Sequence, residues 1–287
     1  MRARTTSIQL FPTPRRRPRP NALIAINLAI IAIVALLACF GTWIAPYAPT
    51  KQDLALGLST PSPEHLLGTD SLGRDILSRI LGGTASAVVG PLIIALGGAL
   101  VGNVLGLLAG YRGGRIDSLI MRWVDLTFSL PGTLVVIVVA GTFGGGYWLA
   151  VVLLIVLTSP GDARIIRGAT LEQTPRPYVE AAKSIGIPDL RIMLAHIWPN
   201  VAPAAIANAS INFAGSLVAL AGLSFLGLGV AAGTPDWGLM VAEGRNLLFV
   251  NPVAVLAPAV MIVVTATSVS IAGDWFYERL SSRGVTR

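Results

Sequence analysis

The chain has 287 residues, of which 54% are apolar and only 12% charged, against roughly 25% charged in an ordinary soluble domain; mean hydropathy is +0.73. Twenty-one basic residues against 14 acidic ones leave a net charge of +7, and Cys39 is the single cysteine. That balance excludes a disulfide framework and a cysteine zinc cluster, makes a disordered chain and a nucleic-acid-binding domain poor readings, and points to an integral membrane protein.

A bilayer core of about 30 Å needs about 20 apolar residues in a helix. In chain order, charge-free stretches of that size are Ala22–Ile44, Ile80–Tyr111, Leu126–Gly161, Ile192–Pro235 and Asn246–Gly273. Leu126–Gly161 would make a helix of ~54 Å, too long for one crossing. Gly144-Gly145-Gly146 in its middle predicts two spans joined by a tight turn. Ile192–Pro235 is read as one span from about Asn200 to Leu223, followed by an exit through Gly227, Gly229 and Gly233. The total is six, so both termini lie on one side. With the N-terminus inside, seventeen of the 21 basic residues fall on inner segments and four on outer ones, which the positive-inside rule favours. Leu36-Leu37-Ala38-Cys39 after a basic start is also compatible with a lipoprotein signal peptide, but the apolar run exceeds the usual 7–15 residues.

Gly98, Gly102, Gly106 and Gly110 recur every fourth residue and share one helix face. In lipid, small residues let helix backbones approach closely, so this is a helix-packing seam, static or mobile. Asn208 and Asn212, with Ser216 one turn on, form a polar stripe that either lines a solute path or bonds to a neighbouring helix. Thr265, Thr267, Ser268 and Ser270 carry the same ambiguity.

No phosphate loop, H-E-x-x-H motif or G-x-S-x-G elbow is present, so no catalytic or metal-ligating residue is assigned. No ionisable group falls clearly within a predicted span; Asp125 at an inner edge is expected to pair with Arg122 at i,i+3. That scarcity argues against a carrier driven by protons or sodium, so the energy for transport would come from another subunit.

The inner segment 162–199 carries a knob. Pro175 and Pro177 interrupt any preceding helix. Tyr178, Val179, Glu180, Ala181, Ala182, Lys183, Ser184 and Ile185 read as a short helix ended at Gly186, with Ile187 beyond it. Pro188-Asp189 opens a second helix, on which Leu190, Met193, Leu194 and Ile197 form an apolar stripe. Ala181 and Ala182 would admit close approach by a partner.

The Glu180-Ala181-Ala182 order followed by Gly186 and Trp198-Pro199-Asn200 resembles the cytoplasmic loop of ABC-importer permeases. His65-Leu66-Leu67-Gly68-Thr69-Asp70-Ser71-Leu72-Gly73-Arg74-Asp75 with Ser78-Arg79, Gly110-Tyr111-Arg112-Gly113-Gly114 with Asp117, Met121-Arg122 and Asp125, Leu223-Ser224-Phe225-Leu226-Gly227-Leu228-Gly229, Trp237-Gly238 and Gly273-Asp274 resemble its C-type subfamily for dipeptides, oligopeptides and nickel. These blocks keep the subfamily's order from about residue 22 to 283. Thr84 stands where an arginine is often found, Leu220 where a glutamate often is, and the residues after Gly273-Asp274 depart from the usual pattern.

The resemblance implies an all-α integral membrane protein with six transmembrane helices, the type I ABC-importer permease fold and cytoplasmic termini. Its parts would be a basic tail 1–21, a first span 22–44, an extracytoplasmic segment 45–82, a five-helix core 83–280 with coupling loop 162–199, and a tail 281–287. It implies a non-enzymatic subunit of a bacterial or archaeal cell membrane that moves di- or oligopeptides by alternating access, or nickel or another small solute. A stand-alone secondary carrier is the less favoured class. Implied partners are a homologous permease, two ATPase subunits or a fused one, an outer solute-binding protein and the lipid bilayer, with no nucleic acid. This chain would bind no cofactor itself; ATP and magnesium belong to the ATPases. Residues 178–184, Gly186 and Ile187 would dock the ATPase, and Gly68-Thr69-Asp70 would either shape a turn or touch the binding protein.

Overall fold

The computed structural model describes residues 22–284, with side chains to Ser281. The arginine-rich tail 1–21 and residues 285–287 lie outside the described residues. Among the described residues the chain is helical, with one isolated bridge between Thr69 and Asp75.

The helices are α1 (Ala22–Ile44), α2 (Ile76–Gly82), α3 (Thr84–Arg112), α4 (Gly114–Phe128), α5 (Gly132–Thr142), α6 (Tyr147–Gln173), α7 (Pro177–Ser184), α8 (Asp189–Arg191), α9 (Trp198–Phe225), α10 (Trp237–Gly244) and α11 (Val253–Gly284). A π-helical turn, Ile192–Ile197, joins α8 to α9. Five helices or helix pairs are long and apolar enough to cross a membrane, and α4 with α5 makes a sixth if counted as one bent span.

α1 has the bounds its apolar run predicts; its buried Asn27 is satisfied by donating Nδ2 to Leu23 O at 2.7 Å. The second span is broken at Gly83 into α2 and α3. Asp75 starts α2 by accepting from Ser78 N at 2.8 Å, satisfying one of the helix's free N–H groups. The third span is not the straight helix expected after Asp125. α4 begins at Gly114, and α5 leaves it at 77°. Pro131 lacks an N–H and disfavours helical geometry at Leu130, so the ladder stops there. The glycine triplet turns the chain into α6 as expected: Gly144, Gly145 and Gly146 have φ of +85°, +67° and +122°, values open to glycine at little cost.

α6 departs most from expectation. It does not end at Gly161 but continues through Asp162 to Gln173, so the connecting segment starts at Thr174. The stripe on residues 190–197 is also different. Leu190 and Leu194 are exposed, whereas Ile192, Met193 and Ile197 are buried. In a π turn hydrogen bonds close five residues apart, and the face shared by Ile192 and Ile197 is one that a 3.6-residue period does not group. The last span starts at Val253, later than Asn246, and continues beyond Gly273.

α3 packs chiefly on α6 and α9, and α9 on α11. At one end of the bundle lie the segment 45–75, α2 and α10. At the other end lie α7, α8 and the π turn.

Candidate functional site

The knob is built on three spans. Val179 and Ala182, 0% and 4% exposed, enter an apolar cluster with Leu107 of α3, Ile166 of α6, Ile192 and Ile197 of the π turn, and Val201 and Ala205 of α9. Ala182 is therefore covered by its own chain and is not the contact offered to a partner that its small size suggested; Ala181 is exposed. α7 ends as its glycine predicts. Gly186 N donates to Lys183 O at 3.0 Å and Ile187 N to Ala182 O at 3.1 Å, the paired bonds of a Schellman cap. Gly186 has φ +76° with open space around it, and Ile187 packs back on the cluster.

Polar ties fix the same unit. Tyr178 Oη donates to Gln173 Oε1 at 2.9 Å and accepts from Asn200 Nδ2 at 3.3 Å; burial pushes its pKa above the ordinary tyrosine value. Tyr111 Oη donates to Asp189 Oδ1 at 2.8 Å, and Lys183 Nζ lies 4.9 Å from the centre of the Tyr111 ring. What remains turned outward is Tyr178, Glu180, Ala181, Lys183, Ser184, Gly186 and Ile185, the last 77% exposed.

The four seam glycines of α3 face α6. A Cβ at Gly98 would lie 2.8 Å from Thr158 Oγ1, at Gly106 2.7 Å from Ala163 O, and at Gly110 2.7 Å from Thr170 Cβ. At Gly102 it would collide with Asp162 Cβ. The backbones of α3 and α6 can approach so closely only without side chains there.

Asp162 is the residue the sequence reading missed. It is 2% exposed within α6, and its Oδ1 accepts from both Asn208 Nδ2 and Asn212 Nδ2, the latter at 2.7 Å. The asparagine stripe thus does bond to a neighbouring helix. Ser216 is brought no further into the group: it is buried, with no partner for its hydroxyl among the described residues. A signal was present, because Asp162 follows an apolar run and no proline lies between Pro160 and Pro175. Its carboxylate also removes the scarcity of intramembrane charge as an argument against an ion-driven carrier. Asp125 pairs not with Arg122 but with Arg164, at 2.5 Å, and Asp117 pairs with Arg167. Both pairs tie α4 to α6.

At the opposite end, Gly68-Thr69-Asp70 serves the chain's own packing. Gly68 has φ +77°. Thr69 Oγ1 donates to Gly57 O at 2.7 Å. Asp70 Oδ2 accepts from Arg74 Nε at 2.6 Å and Arg79 Nη1 at 2.9 Å, and both arginines reach Glu243 of α10 at 2.7 Å. Arg74 and Arg79 are 2% and 1% exposed. Trp237, fully buried, donates Nε1 to Ile80 O at 3.1 Å. Of the departures from the subfamily pattern, Thr84 is buried with its hydroxyl on Ile80 O, and Leu220 is buried among apolar residues of α3, α5, α6 and α9.

Residues 102–283 match the family described as binding-protein-dependent transport system inner membrane component, and residues 15–61 match the N-terminal transmembrane domain of oligopeptide transport permease C. The glutathione transport system permease protein GsiD of Pectobacterium atrosepticum is 35% identical over 94% of this chain and 89% of its own length. The probable D,D-dipeptide transport system permease protein DdpC of Escherichia coli K12 is 31% identical over 92% and 88%. Among solved structures, an inward-facing MetNI methionine ABC transporter chain shares the fold, with TM-score 0.57 and 21% identity over 72% of this chain and 96% of that one. With relatives matched over most of both chains, its helical bundle and its protruding glycine-capped helix in one order, the chain belongs to the binding-protein-dependent transport system inner membrane component family and is a transmembrane permease subunit of an ABC importer.

Proposed function

We propose that this permease pairs with a second, homologous permease, two ATPase subunits or a fused ATPase, and an outer solute-binding protein, in the plasma membrane of a prokaryotic cell. α4 and α5 serve as the third of six spans. Both termini and α7 face the cytoplasm, and the Asp70–Glu243 end faces outward; the charge asymmetry of the segments supports this orientation. ATP and magnesium bind to the ATPases. The solute is a short peptide, a reading supported by the printed names of the glutathione and D,D-dipeptide relatives. Transport proceeds by alternating access: closure of the ATPases displaces α7, and the spans it is packed on rock with it.

One observation carries this reading. α7 is anchored by Val179 and Ala182 to α3, α6 and α9, while its other face is bare. A displacement of α7 is therefore passed to these spans through the shared apolar cluster and the π turn. Glu180, Ala181, Lys183, Ser184 and Gly186 act by shape and helix-end geometry rather than catalysis. Gly186→Val tests it. A β-branched residue at φ +76° costs about 1–2 kcal/mol and reshapes the turn while Val179 and Ala182 keep their places. The expected result is a folded permease whose complex hydrolyses ATP without matching solute uptake. Normal assembly and normal coupling would refute the docking role of that turn.

A further inference from the structure

The polar group between α3, α6 and α9 does more than hold helices together. Asp162 fits where α3 carries no side chains: a Cβ at Gly102 would collide with its Cβ, and a Cβ at Gly98 would lie 3.2 Å from its Oδ2. Its Oδ1 is turned toward α9, where it takes the amide NH2 groups of both Asn208 and Asn212. An asparagine amide has one donor end and one acceptor end. Once the NH2 is committed to a carboxyl oxygen, the carbonyl must point elsewhere. This assignment follows from chemistry in either charge state of Asp162, since the unprotonated oxygen of a neutral acid accepts as a carboxylate oxygen does. Both asparagines are half-buried, and their Oδ1 atoms are neither buried nor hydrogen-bonded among the described residues. The two carbonyls sit one turn apart, about 6 Å along the axis. They border a face of α9 that is apolar and exposed at Ile211 and Val218.

We infer that Asp162 is a positioning residue: by committing the NH2 groups of Asn208 and Asn212, it makes this edge of α9 a pair of hydrogen-bond acceptors for a solute rich in N–H donors. The ammonium and amide N–H groups of a short peptide have that chemistry, and so the inference rests on the peptide reading above. The asparagines touch the solute; Asp162 acts through them, and Gly102 acts through Asp162.

Two measurements on the complete transport complex test this. In a Cys39→Ser background, Asn208→Cys and Asn212→Cys are treated with a charged, water-soluble methanethiosulfonate in the nucleotide-free and ATP-bound states. Both positions are expected to react in at least one state. Failure in both states would mean that no aqueous path reaches them and would overturn the inference. The second measurement compares uptake of a dipeptide with that of its N-acetylated form. Selection by the binding protein is common to all variants, so the change from wild type is the readout. Asp162→Leu, Asn208→Leu and Asn212→Leu are each expected to shrink the preference for the free ammonium by about tenfold, the weight of a lost hydrogen bond to a charged group. Asp162→Asn, whose amide oxygen still accepts from both neighbours, is expected to keep it. An unchanged preference in the asparagine variants overturns the acceptor role, and Asp162→Asn behaving like Asp162→Leu overturns the positioning role. If the thiols react but the wild-type complex carries neither peptide, the peptide reading fails, the acceptor role for a peptide solute is overturned with it, and only the water access of the two positions stands.

Discussion

The two ends of the bundle differ in whether charge is buried. At the end with α2 and α10, two arginines almost without solvent exposure bridge Asp70 to Glu243 across 164 residues of chain between Arg79 and Glu243. Charges buried so deeply tolerate only one arrangement, because each loses several kcal/mol of hydration that only its partners restore. At the other end, α7 is held by apolar packing of Val179, Ala182 and Ile187 and by polar ties of Tyr178 and Lys183 that lie at the surface, with no buried charge among them. The contrast separates a fixed assembly of the segment 45–83 on α10 from a helical handle whose displacement would unpair no buried charge.

The comparison breaks most visibly at Arg79. Arg79→Ala removes one of two arginines from Asp70 and Glu243, and removing one partner of a buried pair costs about 3–5 kcal/mol. A large fall in thermal stability in detergent, with low yield, is the expected result. A loss under about 1 kcal/mol would show that the cluster is hydrated and that the two ends are not so different. Next is Val179→Ala, which deletes two buried carbons from a side chain with no exposure. At about 0.8 kcal/mol per buried carbon, stability is expected to fall by roughly 1–2 kcal/mol, and uptake per ATP to fall more steeply because the handle loosens from its spans. An equal fall in both would mean that Val179 serves stability alone.

Which of these features could be read from the sequence depended on how far away the explanation lay. The apolar run of α1, the glycine turn before α6, the seam on α3 and the cap at Gly186 are local patterns, and local physics fixes them. By sequence Asp162 marks the start of a loop, because a carboxylate after an apolar run normally marks water. What keeps it inside the bundle is the amide pair of Asn208 and Asn212, 46 and 50 residues on. Asp125 was assigned to Arg122 by helix spacing, yet Arg164, 39 residues away, takes it. The α4–α5 bend was hidden because α4 is amphipathic rather than apolar, so an apolar-run search starts the span too late. The π turn defeated a 3.6-residue count, which grouped Leu190 and Leu194 with a face they do not share. Arg74 and Arg79 stood inside a recognisable block, but nothing near them named Glu243.

The smallest effect on stability is the sharpest test of the handle. Ile185 is 77% exposed at the tip of the knob, one residue before the glycine turn. The folded chain alone gives no reason for an apolar side chain there, since Ile185 takes no part in the cluster that anchors α7. Ile185→Ser should therefore change the stability of the isolated permease by no more than about 0.5 kcal/mol, as for surface positions generally. If the bare face of α7 is where an ATPase subunit seats, the isoleucine is buried only in the complex. Its replacement should then weaken ATPase association by roughly tenfold, about what 1.4 kcal/mol of lost apolar burial amounts to. Titrating the ATPase subunit against wild-type and Ile185→Ser permease in detergent reads this directly. Equal affinity would mean that the knob is gripped elsewhere along α7, at Glu180 and Ala181, whereas a stability loss comparable to that of Val179→Ala would mean that Ile185 belongs to the anchor after all.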